Sequence, residues 1–280
     1  MLLITSVSKP VISSFWYTLN PRAYMMPNQI LTTKKDFIQT FNKIAKHKYR
    51  YQVFEDFVKI YAIFIHNSTT KNTNLEQEYL SITKKYTKQE LSSFTKLYSN
   101  LVSLLKSKPQ DILGELYMEL ELGNKETFQF FTPAGTSTLL AETTLSKNLG
   151  QLDDSPFIIL SEPTCGSGGV VLSLAKTMMD RGHNPASTLF VSCIDINKIP
   201  ALMCYLQLSL LHIPAEITIL ENNPQEIFYT PAYYMGGWEQ KLLYRQMTNL
   251  MMKDAKPLKT DKPNLSPKKK APKIQLDFGF

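Results

Sequence analysis

The chain has 280 residues, 43% of them apolar, enough for one substantial core and a smaller helical one. Lysine and arginine outnumber aspartate and glutamate 31 to 24, giving +7, but Lys253 to Lys273 holds eight lysines against two aspartates, which leaves the rest near neutral and excludes charge as an argument for a basic nucleic-acid face. Cys165, Cys193 and Cys204 show no CxxC pair and no Cys/His spacing suited to zinc, so no metal site is read; their odd number fits a reducing cytoplasm.

In chain order, residues 1–32 are mildly apolar and broken by Pro10, without the basic start, long apolar centre and cleavage site of a secretion signal. They read as a poorly ordered extension, and no membrane span is expected. Residues 33–123 are helical throughout. "YQVFEDFVKIYAIFIHN" sets Val53, Phe54, Phe57, Val58, Ile60, Tyr61, Phe64 and Ile65 on one broad apolar face, "KQELSSFTKLYSNLVSLLKSK" makes a second helix, and "DILGELYMELEL" begins a third. Such stripes are core.

From residue 124 the character changes. "FQFFTPAGTSTLLAETTL" is a loop and a helix opening near Pro133. Strands over "SPFIILSEP", "STLFVSCIDIN" and "AEITILEN" alternate with helices over "GGVVLSLAKTMMDRG" and "IPALMCYLQLSLLHI". That alternation predicts an open α/β sheet with parallel pairing over 124–250, preceded by the helical domain. Residues 251–280 read as a basic, flexible tail ending in a short motif.

The turn "SEPTCGSGGV" joins the first strand to its helix, where ligands of open parallel sheets sit. Gly166, Gly168 and Gly169 let backbone pass close to a ligand, Glu162 offers a carboxylate, and Pro163 stiffens the exit. A phosphate loop needs GxxxxGK[ST], and a dinucleotide fold GxGxxG; neither is present. A plain glycine-rich turn stays open as the alternative. The second strand ends in Asp195, placed to take both hydroxyls of a ribose or to cap the next helix.

Together these residues resemble the adenine-N6 DNA methyltransferases, especially the modification subunits of type I restriction systems. The motifs are "FFTP" with Phe131, Thr132 and Pro133, "EPTCGSGG" from Glu162 to Gly169, and "CIDIN" with Asp195, and the likeness covers roughly 33–245. It implies a Rossmann-like, S-adenosylmethionine-dependent methyltransferase sheet, cytoplasmic, with DNA as partner. Glu162 would then sit near the methionine ammonium, with Pro163 at the strand exit. Cys165, Gly166 and Gly168 would pass along the methionine, and Phe131, Thr132 and Pro133 would line its other side. Asp195 would hold the ribose, Ile196 would pack on the adenine, and Asn222 or Glu221 would meet the adenine edge.

The family's catalytic [N/D]PP[F/Y] does not occur, so no catalytic residue is assigned. "NNPQEIF" is the nearest match and reads as a turn after the third strand. "FYTPAYYMGGWEQKLLYR" occupies the place of the fourth strand and its motif, where Tyr233, Tyr234 and Trp238 could stack on an extruded base or simply close the cleft. No target recognition domain follows Arg245, which points to a separate specificity subunit or to the helical domain. In the tail, Gln275, Leu276 and Phe278 resemble peptides that dock on the replication sliding clamp; an unstructured end is the alternative. The leading expectation is methyl transfer to the exocyclic amine of adenine in DNA. The runner-up is an inactive relative that serves as a cofactor-, DNA- or replisome-associated binding module.

Overall fold

A computed structural model describes residues 33–107, 109–122, 132–148, 150, 152, 155–221, 225–254 and 274–275. The expected extension at 1–32 and most of the tail lie outside them. Five helices come first: α1 (Lys34–Ile44), α2 (Arg50–Asn67), α3 (Thr73–Thr83), α4 (Lys88–Ser107) and α5 (Ile112–Glu119). Each starts where the sequence supplies a cap or an apolar period. Thr33 and Asp36 close a capping box on α1, and the Asn72 and Asp111 side chains accept from the first amides of α3 and α5. The predicted face of α2 is buried, apart from the half-buried Phe64.

After α6 (Ala134–Asn148) the chain alternates: β1 (Ile158–Glu162), α7 (Gly169–Asp180), the short α8 (Pro185–Thr188), β2 (Leu189–Asp195), α9 (Lys198–Leu210) and β3 (Ala215–Ile219). Then come β4 (Glu226–Tyr229), α10 (Pro231–Met235), α11 (Trp238–Asp254) and β5 (Ile274–Gln275). The sheet order is β4-β3-β2-β1-β5, with β5, β1, β2 and β3 parallel and β4 antiparallel at the edge. This is an open, Rossmann-like α/β fold preceded by a helical region. No helix among the described residues is long and apolar enough to cross a membrane.

The stretch "FYTPAYYMGGWEQKLLYR" takes the place of the fourth strand and its motif, but β4 runs only from Glu226 to Tyr229; six residues separate it from β3, too few for a crossover helix, so it returns as an antiparallel hairpin partner. Ile274–Gln275, within the segment expected as a flexible tail, pairs with Leu160 and Ser161 of β1.

Burial alternates along β1, so Ile158, Leu160 and Glu162 share one face. The main apolar cluster runs without a break from Phe37, Phe54 and Leu97 of the helical region through Leu113 to Val171, Leu206 and Ile217 of the α/β region. At about 25 cal/mol per Å² of buried apolar surface, that shared core makes the helical region a layer of the α/β fold, packed chiefly through α2 against α9. A smaller cluster of Phe157, Phe190 and Trp238 covers the opposite side beneath α10 and α11.

Candidate functional site

Glu162, Asp195 and Ile219 end three adjacent parallel strands, and the glycine turn leaves the sheet between the first two. The turn is built on backbone bonds. Cys165 N–H donates to the Ile194 carbonyl at 2.9 Å, Gly168 N–H to the Cys165 carbonyl at 2.8 Å, and Gly166 N–H to Asp195 Oδ2 at 2.8 Å. Gly166 (φ +51°) and Gly168 (φ +94°) occupy the left-handed region. At Gly168 an added Cβ would also stand 3.0 Å from Cys204 Sγ, so glycine is required twice over.

Glu162 is only 2% exposed. Its Oε1 accepts from Thr164 N–H at 3.2 Å, while Oε2 is buried without a partner among the described residues. A buried, unpaired carboxylate oxygen costs about 1–3 kcal/mol or more unless a ligand donor meets it. Burial pushes the carboxyls of Glu162, Asp195 and Asp111 above the usual range. Asp195 spends one oxygen on Gly166 and the other on Asn197 N–H at 2.8 Å, so it shapes the turn as well as facing outward. Beside it Ile196 is 65% exposed, and Leu220 after β3 is also open, leaving an apolar shelf at the strand tips. The expected cap of α9 is not Asp195: Glu221 Oε2 accepts from Lys198 N–H at 2.7 Å.

The "FFTP" helix arrives beside the turn. Ser137 in the first turn of α6 donates to the Thr132 carbonyl at 3.5 Å, and a Cβ on Gly169 would lie 3.4 Å from its hydroxyl. Thr132 and Pro133 are exposed there; Pro163 is exposed at the strand exit. Phe131 and Asn222 lie outside the described residues, as do Leu276 and Phe278, whereas Gln275 belongs to β5.

Tyr233, Tyr234 and Trp238 are not brought to the site. The β3–β4 register pairs Tyr229 with Glu216, at the amino end of β3, and Tyr229 stacks on Tyr233 with centroids 4.4 Å apart. Trp238 is fully buried against Phe157 and Phe190, which precede or begin β1 and β2. The hairpin carries these rings toward the end of the sheet opposite the glycine turn, with Trp238 buried and Tyr234 44% exposed, which favours the alternative that they pack rather than stack on a base.

Sequence reading missed two features. Gln207, fully buried on α9, donates to Asp111 Oδ1 and to the Ser167 carbonyl, both at 2.9 Å, and accepts from Leu113 N–H at 3.0 Å. Ser167 donates to Asp111 Oδ2. One amide therefore ties the helical layer to the glycine turn. The only signal was an amide in the middle of the largely apolar "IPALMCYLQLSLLHI". The second feature is the convergence of Cys165, Cys193 and Cys204, whose sulfurs all lie within 4.8 Å of one another.

No family model and no curated protein matches the chain. Among solved structures it is similar to a putative class I S-adenosylmethionine-dependent methyltransferase from Listeria monocytogenes, at 14% identity and a TM-score of 0.33. The match covers 65% of this chain and 51% of the other, so the chain spans about half the length of that protein.

Proposed function

We propose that the protein binds S-adenosylmethionine at the glycine turn and transfers its methyl group to the exocyclic amine of adenine in DNA. The observation that carries this reading is the buried, unpaired Oε2 of Glu162 at the tip of β1. β1 has β2 on one side and β5 on the other, so the turn stands at the switch point of the sheet, where open α/β folds hold ligands. A ligand ammonium would satisfy Glu162, ribose hydroxyls would reach the outer lone pairs of Asp195, and a purine would cover Ile196 and Leu220. The sequence motifs select S-adenosylmethionine among ligands with an ammonium, a ribose and a purine.

The acceptor side rests on β5. It runs parallel to β1, so its carboxyl end faces the same way as the glycine turn. The sequence that continues from it is Leu276-Asp277-Phe278-Gly279-Phe280. Asp277-Phe278-Gly279-Phe280 shares with [N/D]PP[F/Y] only an acid at the first position and an aromatic at the fourth, and has neither proline. In this reading an acid and an aromatic of the segment after β5 would take the parts that the family gives its motif, and positioning supplies most of the rate.

Calorimetric titration of the full chain with S-adenosylmethionine is the test of the donor half. Wild type binds, and Asp195→Ala weakens binding at least tenfold, about 1.4 kcal/mol. No binding by wild type would overturn the reading. For the acceptor half, Asp277→Ala keeps cofactor affinity within about twofold, under about 0.5 kcal/mol, and loses methyl transfer to duplex DNA, measured as N6-methyladenine by mass spectrometry.

A further inference from the structure

Cys165 lies in the glycine turn, Cys193 on β2 and Cys204 on α9, three elements that converge only in the folded chain. All three are buried, Cys193 and Cys204 completely and Cys165 to 6% exposure. Cys204 and Cys193 sulfurs are 3.8 Å apart, and no sulfur is more than 4.8 Å from another. Metal–sulfur bonds of about 2.3 Å hold neighbouring sulfurs roughly 3.5–4 Å apart, so three-sulfur coordination needs only a small inward movement. Single buried cysteines behave as small apolar residues. Three sulfurs facing one point form a soft donor set.

Charge decides which ion suits it. Glu162 is three residues before Cys165, Asp195 holds the amide of Gly166, and Asp111 bonds Ser167, so carboxylates surround the turn. A monovalent or divalent ion on three thiolates would leave one or two further negative charges buried among them, which is costly. A trivalent centre leaves none.

We propose that Cys165, Cys193 and Cys204 form a three-sulfur site for a trivalent, thiophilic metalloid, with arsenite as its probe. The exchange balances without an oxidant. Three As–O bonds of arsenous acid break and three As–S bonds form; each departing hydroxide takes the proton of the attacking thiol and leaves as water, and arsenic stays trivalent. Cys165, the one residue of the three with any exposure, is the point of entry. Loading would tie the turn covalently to β2 and α9. The site stands independently of methyl transfer.

The test is to equilibrate the folded full chain with arsenite, desalt it, and measure arsenic per chain together with thiols titrated after unfolding. One arsenic per chain, loss of all three thiols and an X-ray absorption spectrum with three sulfur neighbours and no oxygen are expected. Cys204→Ala and Cys165→Ala should each retain at least tenfold less arsenic. Wild type that keeps no arsenic, a two-sulfur spectrum, or equal retention by a folded variant would overturn the proposal. So would retention of cadmium without arsenite, because the charge balance would then be wrong.

Discussion

Glu162 holds a conflict between stability and binding that a single atom can resolve. Its register position on β1 puts the carboxyl on the same face as Ile158 and Leu160, and burial raises its pKa. A carboxyl that is harder to ionise when folded binds more protons in the folded than in the unfolded chain across the interval between its two pKa values. Stability then falls as pH rises from the ordinary glutamate range, about pH 4, through the raised value, and stays low above it. Asp195 and Asp111 shift the same way and add to that slope. Glu162→Gln removes the charge and keeps the shape. We expect it to raise stability at pH 7 by about 1 kcal/mol, to flatten the pH dependence of the denaturation midpoint, and to weaken an ammonium ligand at least tenfold. Urea titrations between pH 5 and 8 with a parallel ligand titration check both arms. A variant that is less stable at pH 7 would show that Oε2 has a protein donor.

Elements were legible in proportion to how local their causes are. The apolar runs of β1, β2 and β3 and the stripes of α2, α4 and α5 are fixed by period and by turn residues, and the glycine turn was readable because left-handed backbone demands glycine. What escaped depends on contacts distant in sequence. β4 turned back because its connection is short, and β5 exists only because β1 has a free edge for it. The cysteines are 28 and 11 residues apart, a spacing that becomes a cluster only through the β2–α9 topology. Gln207 was invisible for the same reason, since its three partners lie on α5 and in the turn. Its amide can satisfy Asp111, Ser167 and Leu113 in one orientation alone. Gln207→Leu keeps the volume but strands the Leu113 amide and the Ser167 carbonyl, while Asp111 Oδ1 keeps the Gly114 amide, and about 2–4 kcal/mol of stability should be lost. The readout is a lower urea midpoint at unchanged m-value, since the surface exposed on unfolding is the same. A loss below about 0.5 kcal/mol would mean that water replaces the amide.

At the scale of the whole molecule, charge and sheet closure both run through the last residues. Beyond Asp254 the chain carries seven lysines against two aspartates, five of the seven net positive charges, and it also supplies β5 and the acid and aromatics that follow it. A shared core from α1 to β3 does not depend on that segment. Truncation after Asp254 therefore separates the tail's roles from the fold. The shortened chain should keep its helical and α/β structure by circular dichroism and still bind S-adenosylmethionine. It should lose N6-methyladenine formation outright. Affinity for duplex DNA should fall at least tenfold at low salt, with a shallower dependence on salt concentration, because fewer lysines displace counterions from phosphates. If the truncated chain bound DNA as tightly and with the same salt slope, the folded face would be the nucleic-acid surface and the tail would act only through β5. If it also kept methyl transfer, Asp277 and Phe280 would have no part in the acceptor site, and the search for the groups that hold the adenine would return to the helical layer around α2.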